Sequence, residues 1–239
     1  MSCLRVQSKM NVPVLALLLS AAMAAQTTIP ATGLCNTGLT PASPLPNGCT
    51  TSTPVTPVNP ESGGSSVDGN WQLASPYPSA PYNEESPNPC TLTNFGPAWI
   101  DAPWPSWFNP NDGLSQWITP LAEGPVASGG WYIYRTAFPI PPIETGETNY
   151  LLTVTGQLIV DNDVAAIFLE DPAGVHTGCR SVSKTILAGD SAWKPFSFTT
   201  TVPAHSLAYL YFAVYNQEQS FGNPTGFRVE FTSAYFTPQ

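Results

Sequence analysis

The sequence predicts an all-β protein: an antiparallel β-sandwich of jelly-roll type behind an N-terminal Pro/Thr-rich arm that is either disordered or extended. Three observations lead there. Beyond the first two dozen residues, no run of twelve shows apolar side chains at helical spacing. The second half of the chain alternates β-branched and aromatic runs with Pro, Gly and Asn turns, enough for eight or more short strands. The loops between those runs are long and uneven. That favours a jelly roll over an immunoglobulin-like sandwich, whose Cys and Trp spacing is also absent.

Residues 1–25 read as a secretory signal peptide. Arg5 and Lys9 form a positive start, Val12 to Leu19 an apolar centre, and Ala22-Met23-Ala24 a small-residue cleavage site. The apolar run is shorter than the roughly 20 residues a spanning helix needs. The 239-residue chain carries 7 basic and 16 acidic residues, a net charge of −9. Loss of Arg5 and Lys9 with the signal leaves five basic residues against 16 acidic, a net of −11. Such a surface repels phosphate backbones and anionic lipid, so nucleic acid is excluded as a partner, as is membrane insertion after cleavage. Only 10% of residues are charged and 27 are Pro, which suits a secreted, turn-rich β protein.

Residues 26–67 are Thr, Pro, Ser and Gly with almost no aromatic side chain, which reads as a linker or arm. Once Cys3 leaves with the signal, Cys35, Cys49, Cys90 and Cys179 remain, and an even number in an exported chain points to two disulfides. Four cysteines allow three pairings. We expect Cys35 with Cys49, closing a Pro-rich loop, and Cys90 with Cys179, pinning the start of the domain to a later loop. Zinc is disfavoured, because no CxxC pair exists and His176 and His205 lie at no useful spacing from a cysteine.

The sandwich domain spans 68–239 and opens on Asp68-Gly69-Asn70-Trp71. Short strands are expected at Trp71–Ala74, Ala98–Ile100 and Ser115–Thr119. Trp131–Phe138 alternates cleanly until Pro139, Pro141 and Pro142 end it. Tyr150–Thr155 and Leu158–Val160 lead to the triplet Asp161-Asn162-Asp163, and Val164–Leu169 follows. We expect a core hairpin with that triplet at its tip. Asp171-Pro172-Ala173-Gly174 is a further turn and Trp193–Val202 a further strand. Leu207–Tyr215 is apolar on both faces, as a central strand would be. Gly226–Tyr235 sets Phe227, Val229, Phe231 and Tyr235 on one face and Arg228, Glu230 and Thr232 on the other.

Four pieces in this order, SQWI at Ser115–Ile118, YIYRTAF at Tyr132–Phe138, VDNDVAAIFLE at Val160–Glu170 and NPTGFRVEF at Asn223–Phe231, resemble the galactose-binding-domain-like jelly rolls of secreted bacterial proteins. In that family an Asp-Asn pair after a strand leads into a hairpin ending in Asn-Gly, and a late strand begins NPTGLRVE or similar. Asp161-Asn162 and Asn223-Pro224-Thr225-Gly226 match; Glu170-Asp171-Pro172-Ala173-Gly174 stands where Asn-Gly is expected. The resemblance spans about the last 125 residues. It implies a non-catalytic module, often carbohydrate-binding and sometimes architectural, that is secreted or at the cell surface. From the ending Thr237-Pro238-Gln239, without an apolar segment or Arg cluster, neither a sorting tail nor an accompanying catalytic domain is expected.

The best binding signal is the tryptophan loop AWIDAPWPSWFNPNDG. Trp104 and Trp107 are expected either to stack on sugar rings, with Asp101, Asn109 and Asp112 accepting hydroxyl hydrogen bonds, or to cap the open end of the sandwich. Trp99, in a strand-like context, is expected in the core. Asp161 and Asp163 could contribute to a structural Ca2+ site, but calcium wants six to eight oxygens and Asp and Asn favour tight turns for local reasons, so the turn reading outweighs the ion. No other cofactor is expected, and no catalytic residue is assigned. Glycoside hydrolysis needs two facing carboxyls, and no motif predicts such a pair; neither His lies near a GxSxG elbow. Arg135 and Arg228 are expected to pair with carboxylates across the sheet. The expected function is a secreted non-catalytic β-sandwich that binds a polysaccharide or glycan through loop aromatics. The alternative is a structural surface or extracellular-matrix protein that self-associates, with the arm as stalk or donated strand.

Overall fold

Alternation along each strand decides which side is buried. In Asn149–Asp161, Tyr150, Leu152, Val154, Leu158 and Val160 point inward and are buried, while Leu151, Thr153, Thr155 and Gln157 between them are half-buried. The computed structural model describes residues 27–39, 47–54, 66–77, 88–102, 104–107, 112–122, 124, 126–142, 146, 148–171, 179–184, 192–204, 206–217 and 222–239. The expected signal segment lies outside them. The strands are β1 (Ile29–Pro30), β2 (Thr53–Pro54), β3 (Ser66–Tyr77), β4 (Gly96–Ile100), β5 (Ile118–Thr119), β6 (Val126–Ala127), β7 (Gly130–Pro139), β8 (Asn149–Asp161), β9 (Asp163–Glu170), β10 (Cys179–Lys184), β11 (Lys194–Pro203), β12 (Leu207–Asn216), β13 (Asn223–Pro224) and β14 (Gly226–Pro238). Among the described residues there is no α-helix, only a 3-10 turn at Pro89–Thr91. No helix there is long and apolar enough to cross a membrane.

Every strand pairing is antiparallel. The hydrogen-bonded row runs β10-β9-β12-β7-β3-β4-β5-β14-β8-β11, with β1 beside β14 and β2 beside β3; β6 and β13 form a separate pair. The row folds over at β4 and β5 into an all-β sandwich of jelly-roll type. Phe212 of β12 meets Phe227 of β14 at 4.9 Å and Phe196 of β11 at 5.9 Å, so the first five strands of the row face the last three across one apolar core. Burying each side chain of this size stabilises the fold by about 1.5–3 kcal/mol. The two ends of the row come back together. Arg180 of β10 donates from Nε to Thr200 Oγ1 at 3.1 Å and from Nη2 to the Thr201 carbonyl at 2.8 Å, both on β11. Its Nη1 pairs with the buried Asp171 at 2.6 Å. This seam occupies the two strand edges that would otherwise be open.

The expected hairpin at Asp161-Asn162-Asp163 does not form. β8 pairs with β14 and β11, whereas β9 pairs with β12 and β10, so the triplet is an arch from one layer to the other. A polar triplet between two apolar runs looks the same in sequence for either connection. β8 is also one strand rather than two. Gly156 stays inside it because a Cβ there would come within 2.6 Å of the Glu230 carbonyl and 2.7 Å of the Phe196 ring. In β14 a bulge between Phe231 and Ser233 inverts the phase, so Phe236 rather than Tyr235 is buried in the core.

Where described, the arm forms the short strands β1 and β2 with turns at 32–33, 37–38 and 47–48, and it packs on the sandwich well before residue 68. β1 pairs with β14, and the Thr37 amide donates to the Val229 carbonyl at 3.2 Å. Leu34, Cys35 and Leu39 are buried. Asp68 fastens this segment to β3: its Oδ2 accepts from the Gly38 amide at 2.6 Å and its Oδ1 from the Asn70 amide at 2.8 Å. Disulfides join Cys35 to Cys49 and Cys90 to Cys179.

Candidate functional site

The tryptophan loop folds back against the outer face of β8 and β14. Trp107 is only 7% exposed and packs on Trp117, with ring centroids 4.2 Å apart. Its Nε1 donates to Asp161 Oδ2 at 2.6 Å. The expectation of a sugar platform at Trp107 is therefore corrected: the ring is a packed anchor with no free face. Gly226 makes the room, since a Cβ there would lie 2.6 Å from Trp107 and 3.0 Å from Trp117. Asp112 is also engaged. Its Oδ1 accepts from the Leu114 and Ser115 amides at 2.8 and 3.1 Å, and its Oδ2 pairs with Arg228 at 2.6 Å. Desolvation pushes the Asp112 carboxyl up, but the amides and the guanidinium outweigh it and hold the group below the ordinary range. Asp101 is half-buried, accepts from the Ala102 amide at 2.7 Å and is pushed upward by that burial. Trp99 is half-buried. Trp104 remains open at 39% exposure, and Asn109 lies outside the described residues.

Arg228 is fully buried beneath this loop. Its Nε donates to Ser115 Oγ at 2.6 Å, Glu230 approaches to 3.4 Å and the Trp193 ring lies 4.9 Å away. Of its carboxylate partners, Glu230 is on its own strand and Asp112 on a loop. The Asp161 carboxylate, weighed in the sequence as a calcium ligand and read there rather as part of a turn, accepts from Trp107 through Oδ2 and from Asn162 Nδ2 at 2.6 Å through Oδ1. Asp163 is half-buried at the start of β9. Among the described residues no three His, Cys, Asp or Glu side chains gather as a metal cluster. The two family-like motifs do meet. Asn162 Oδ1 accepts from Asn223 Nδ2 at 2.7 Å, and Thr225 Oγ1 donates to the Asp161 carbonyl at 2.9 Å. Asn216 joins through its Oδ1, which accepts from Asn223 Nδ2 at 3.0 Å. This buried amide network locks the arch to the start of β14.

A different surface gathers ligand-like chemistry. On the outer face of β7, β12 and β9, where solvent-facing polar residues are expected, the strands present Trp131, Ile133, Tyr211 and Ala213, all buried, with Phe168, Tyr209 and Tyr215 half-buried around them. The segment Asn88–Phe95 crosses this face. Asn88 Oδ1 accepts from the Cys90 amide at 3.1 Å and caps the 3-10 turn, and the Cys90–Cys179 bond ties the strap to the first residue of β10. At its far end Phe95 covers Arg135: the guanidinium sits 3.6 Å from the Phe95 centroid and 4.9 Å from that of Tyr209. Arg135 Nε donates to Gln72 Oε1 at 2.9 Å, so this cation pairs across the sheet with an amide rather than a carboxylate. Beside it, the Tyr211 hydroxyl donates to Glu170 Oε2. Burial and then the Glu170 carboxylate push the Tyr211 phenol well above its ordinary range, so it stays protonated as a donor. Among the described residues the buried Trp131 Nε1 has no hydrogen-bond partner. The face thus combines ring surface, a cation, an exposed amide at Gln72 and a carboxylate within a few side chains.

No protein-family model and no curated protein matches the chain. Solved structures do. One is an isomalto-dextranase of Arthrobacter globiformis T6 complexed with panose, 14% identical over 59% of this chain and 21% of that one, with a TM-score of 0.31. Another is an arabinose-bound α-L-arabinofuranosidase, 12% identical over 88% of this chain and 30% of that one, with a TM-score of 0.36. The chain spans less than a third of either. At these scores the likeness says nothing of what this chain binds.

The sequence reading missed the strap-covered face because Leu207–Tyr215 reads as buried on both sides. The available signal was the type of residue at alternate positions. Tyr209, Tyr211 and Tyr215 carry hydroxyl tips, whereas Leu210, Phe212 and Val214 on the core side carry none.

Proposed function

We propose that this chain is a secreted, non-catalytic β-sandwich that binds a glycan on the outer face of its five-strand layer. The Arg135 assembly carries the reading. A guanidinium held between the half-buried rings of Phe95 and Tyr209, with the exposed Gln72 and the half-buried Glu170 alongside, offers donors, an acceptor and half-covered aromatic surface to a sugar. Rings already fixed by the strap lose little freedom when a ligand arrives. The signal-like start and the disulfides fit an oxidising, extracellular setting.

The self-assembling alternative keeps less support in its donated-strand form, because β1 and residues 34–39 pair with β14 and the 114–116 segment of their own chain. The test is glycan-array binding of the mature protein. Arg135→Ala and Tyr209→Ala should each weaken binding about tenfold, the effect of losing an anchor worth roughly 1.4 kcal/mol, while Trp104→Ala leaves it within twofold. Full binding by both face variants would remove this reading, and loss in Trp104→Ala alone would return the site to the loop.

A further inference from the structure

We infer that the outer face of the opposite layer is a second glycan-binding surface, a track for a neutral polysaccharide chain. The pairing registers of β11, β8 and β14 align three rows across the sheet: Thr201, Leu151 and Thr237; Thr199, Thr153 and Tyr235; Ser197, Thr155 and Ser233. Eight of these nine outward positions carry a hydroxyl, and none carries a charge. The bulge at Thr232 is what brings Ser233 and Tyr235 onto this side. Ser197, Thr199, Thr201 and Ser233 are exposed and the others half-buried. The hydroxyls pair with one another: Thr153 with Thr199 at 3.3 Å and Thr155 with Ser233 at 2.7 Å. The next row continues in polar fashion, with Gln157 Nε2 donating to Glu230 Oε2 at 2.8 Å.

The chemistry selects the occupant. A hydroxyl both donates and accepts, so each pair keeps lone pairs, and a proton that can be turned, available to an incoming polyol. No charge on the rows has to be desolvated to bring a neutral chain down, while an acidic chain would find Arg180, beside Thr201, already paired with Asp171 and would meet a net charge of −9. The area points the same way. Strands ~4.8 Å apart and rows ~6.7 Å apart give a footprint on the order of 200–300 Å². That is well below the ~800 Å² per partner of a stable protein interface, so a second copy would not be held by these rows. A few sugar residues would cover them. With the Arg135 face on the other layer, the molecule would engage two glycan chains at once. The track stands on its own registers and hydroxyls, independently of the Arg135 site.

The test is affinity electrophoresis of the mature protein through gels containing dextran, xylan, hydroxyethyl cellulose or, as the acidic control, polygalacturonate. The triple variant Thr153→Val, Thr155→Val and Thr199→Val keeps β-branched side chains and removes the hydroxyls; it should be retarded at least fivefold less by a neutral polymer. Arg135→Ala should retain part of the retardation. Should the triple variant unfold, Thr199→Lys, at an exposed position, replaces it with the same expected direction. Retardation equal to wild type in the folded variant overturns the track while leaving the Arg135 site standing. Preference for polygalacturonate also overturns it. If no polymer retards the wild type, the track falls, and the Arg135 site is then judged by its own array result.

Discussion

At the scale of single residues, Trp107 and Asp112 of the loop that looked like a binding platform are held by close contacts. Gly226→Ala drives a methyl into Trp107 and Trp117 and should cost about 1–3 kcal/mol, seen as a lower urea midpoint with altered tryptophan emission. Gly113→Ala, at a glycine with nothing within 4 Å, is the control and should lie within about 0.5 kcal/mol of wild type. Trp104 and Trp107 sit three positions apart in the same Pro-rich stretch, yet one is open and the other buried. Nothing local distinguishes them. The difference is made by a glycine more than a hundred positions away and by the Asp161 carboxylate that receives the Trp107 Nε1 hydrogen bond, so composition alone assigns both the same role.

At the scale of elements, the strap and the arm make separate predictions. Cys90→Ser with Cys179→Ser frees the strap that holds Phe95 over Arg135. Stability should drop by about 2–4 kcal/mol while the second disulfide and the core keep the sandwich folded, and glycan binding should fall more than tenfold. Undiminished binding would mean that the strap is structural only. The arm is tied by Asp68, whose carboxyl is pushed by burial from the ordinary 3.8 to about 6 despite the amides of Asn70, Gly38 and Trp71 that oppose the shift. The folded state therefore holds that proton more tightly than the unfolded chain. Its contribution is fully present below pH 3.8 and is lost as pH rises to about 6, at up to about 1.4 kcal/mol per pH unit. Urea midpoints measured against pH should show this slope in wild type and lack it in Asp68→Asn. Among the elements, β7 and β11 are legible in sequence because their alternation is uninterrupted, and β12 because it is one continuous apolar run between polar breaks. β8 and β14 are legible as strands but not in their phase or partners. A hairpin and an inter-layer arch share one sequence pattern, and a single bulged residue inverts a face without any marker.

At the scale of the whole molecule, a row of strands is brought almost full circle by one arginine. Arg180→Ala leaves Asp171 buried without its cation and parts β10 from β11; a loss of roughly 2–3 kcal/mol in chemical unfolding is expected, moderated because Arg180 is partly exposed. Fold class could be read from turn spacing and alternation, since both are local. The Arg135 face could not, because it assembles Gln72, Phe95, Arg135, Tyr209, Tyr211 and Glu170 from four strands and a strap, and the decisive neighbours are set by pairing register. The proposed glycan site is this face, not the tryptophan loop. The most direct measurement is a titration of isotope-labelled mature protein with a glycan retained from the array, following backbone amide shifts residue by residue. Saturable shifts centred on Gln72, Arg135, Tyr209 and Glu170, and absent in Arg135→Ala, are the expected result; shifts centred on Asp101 and Trp104 with that face silent would contradict it.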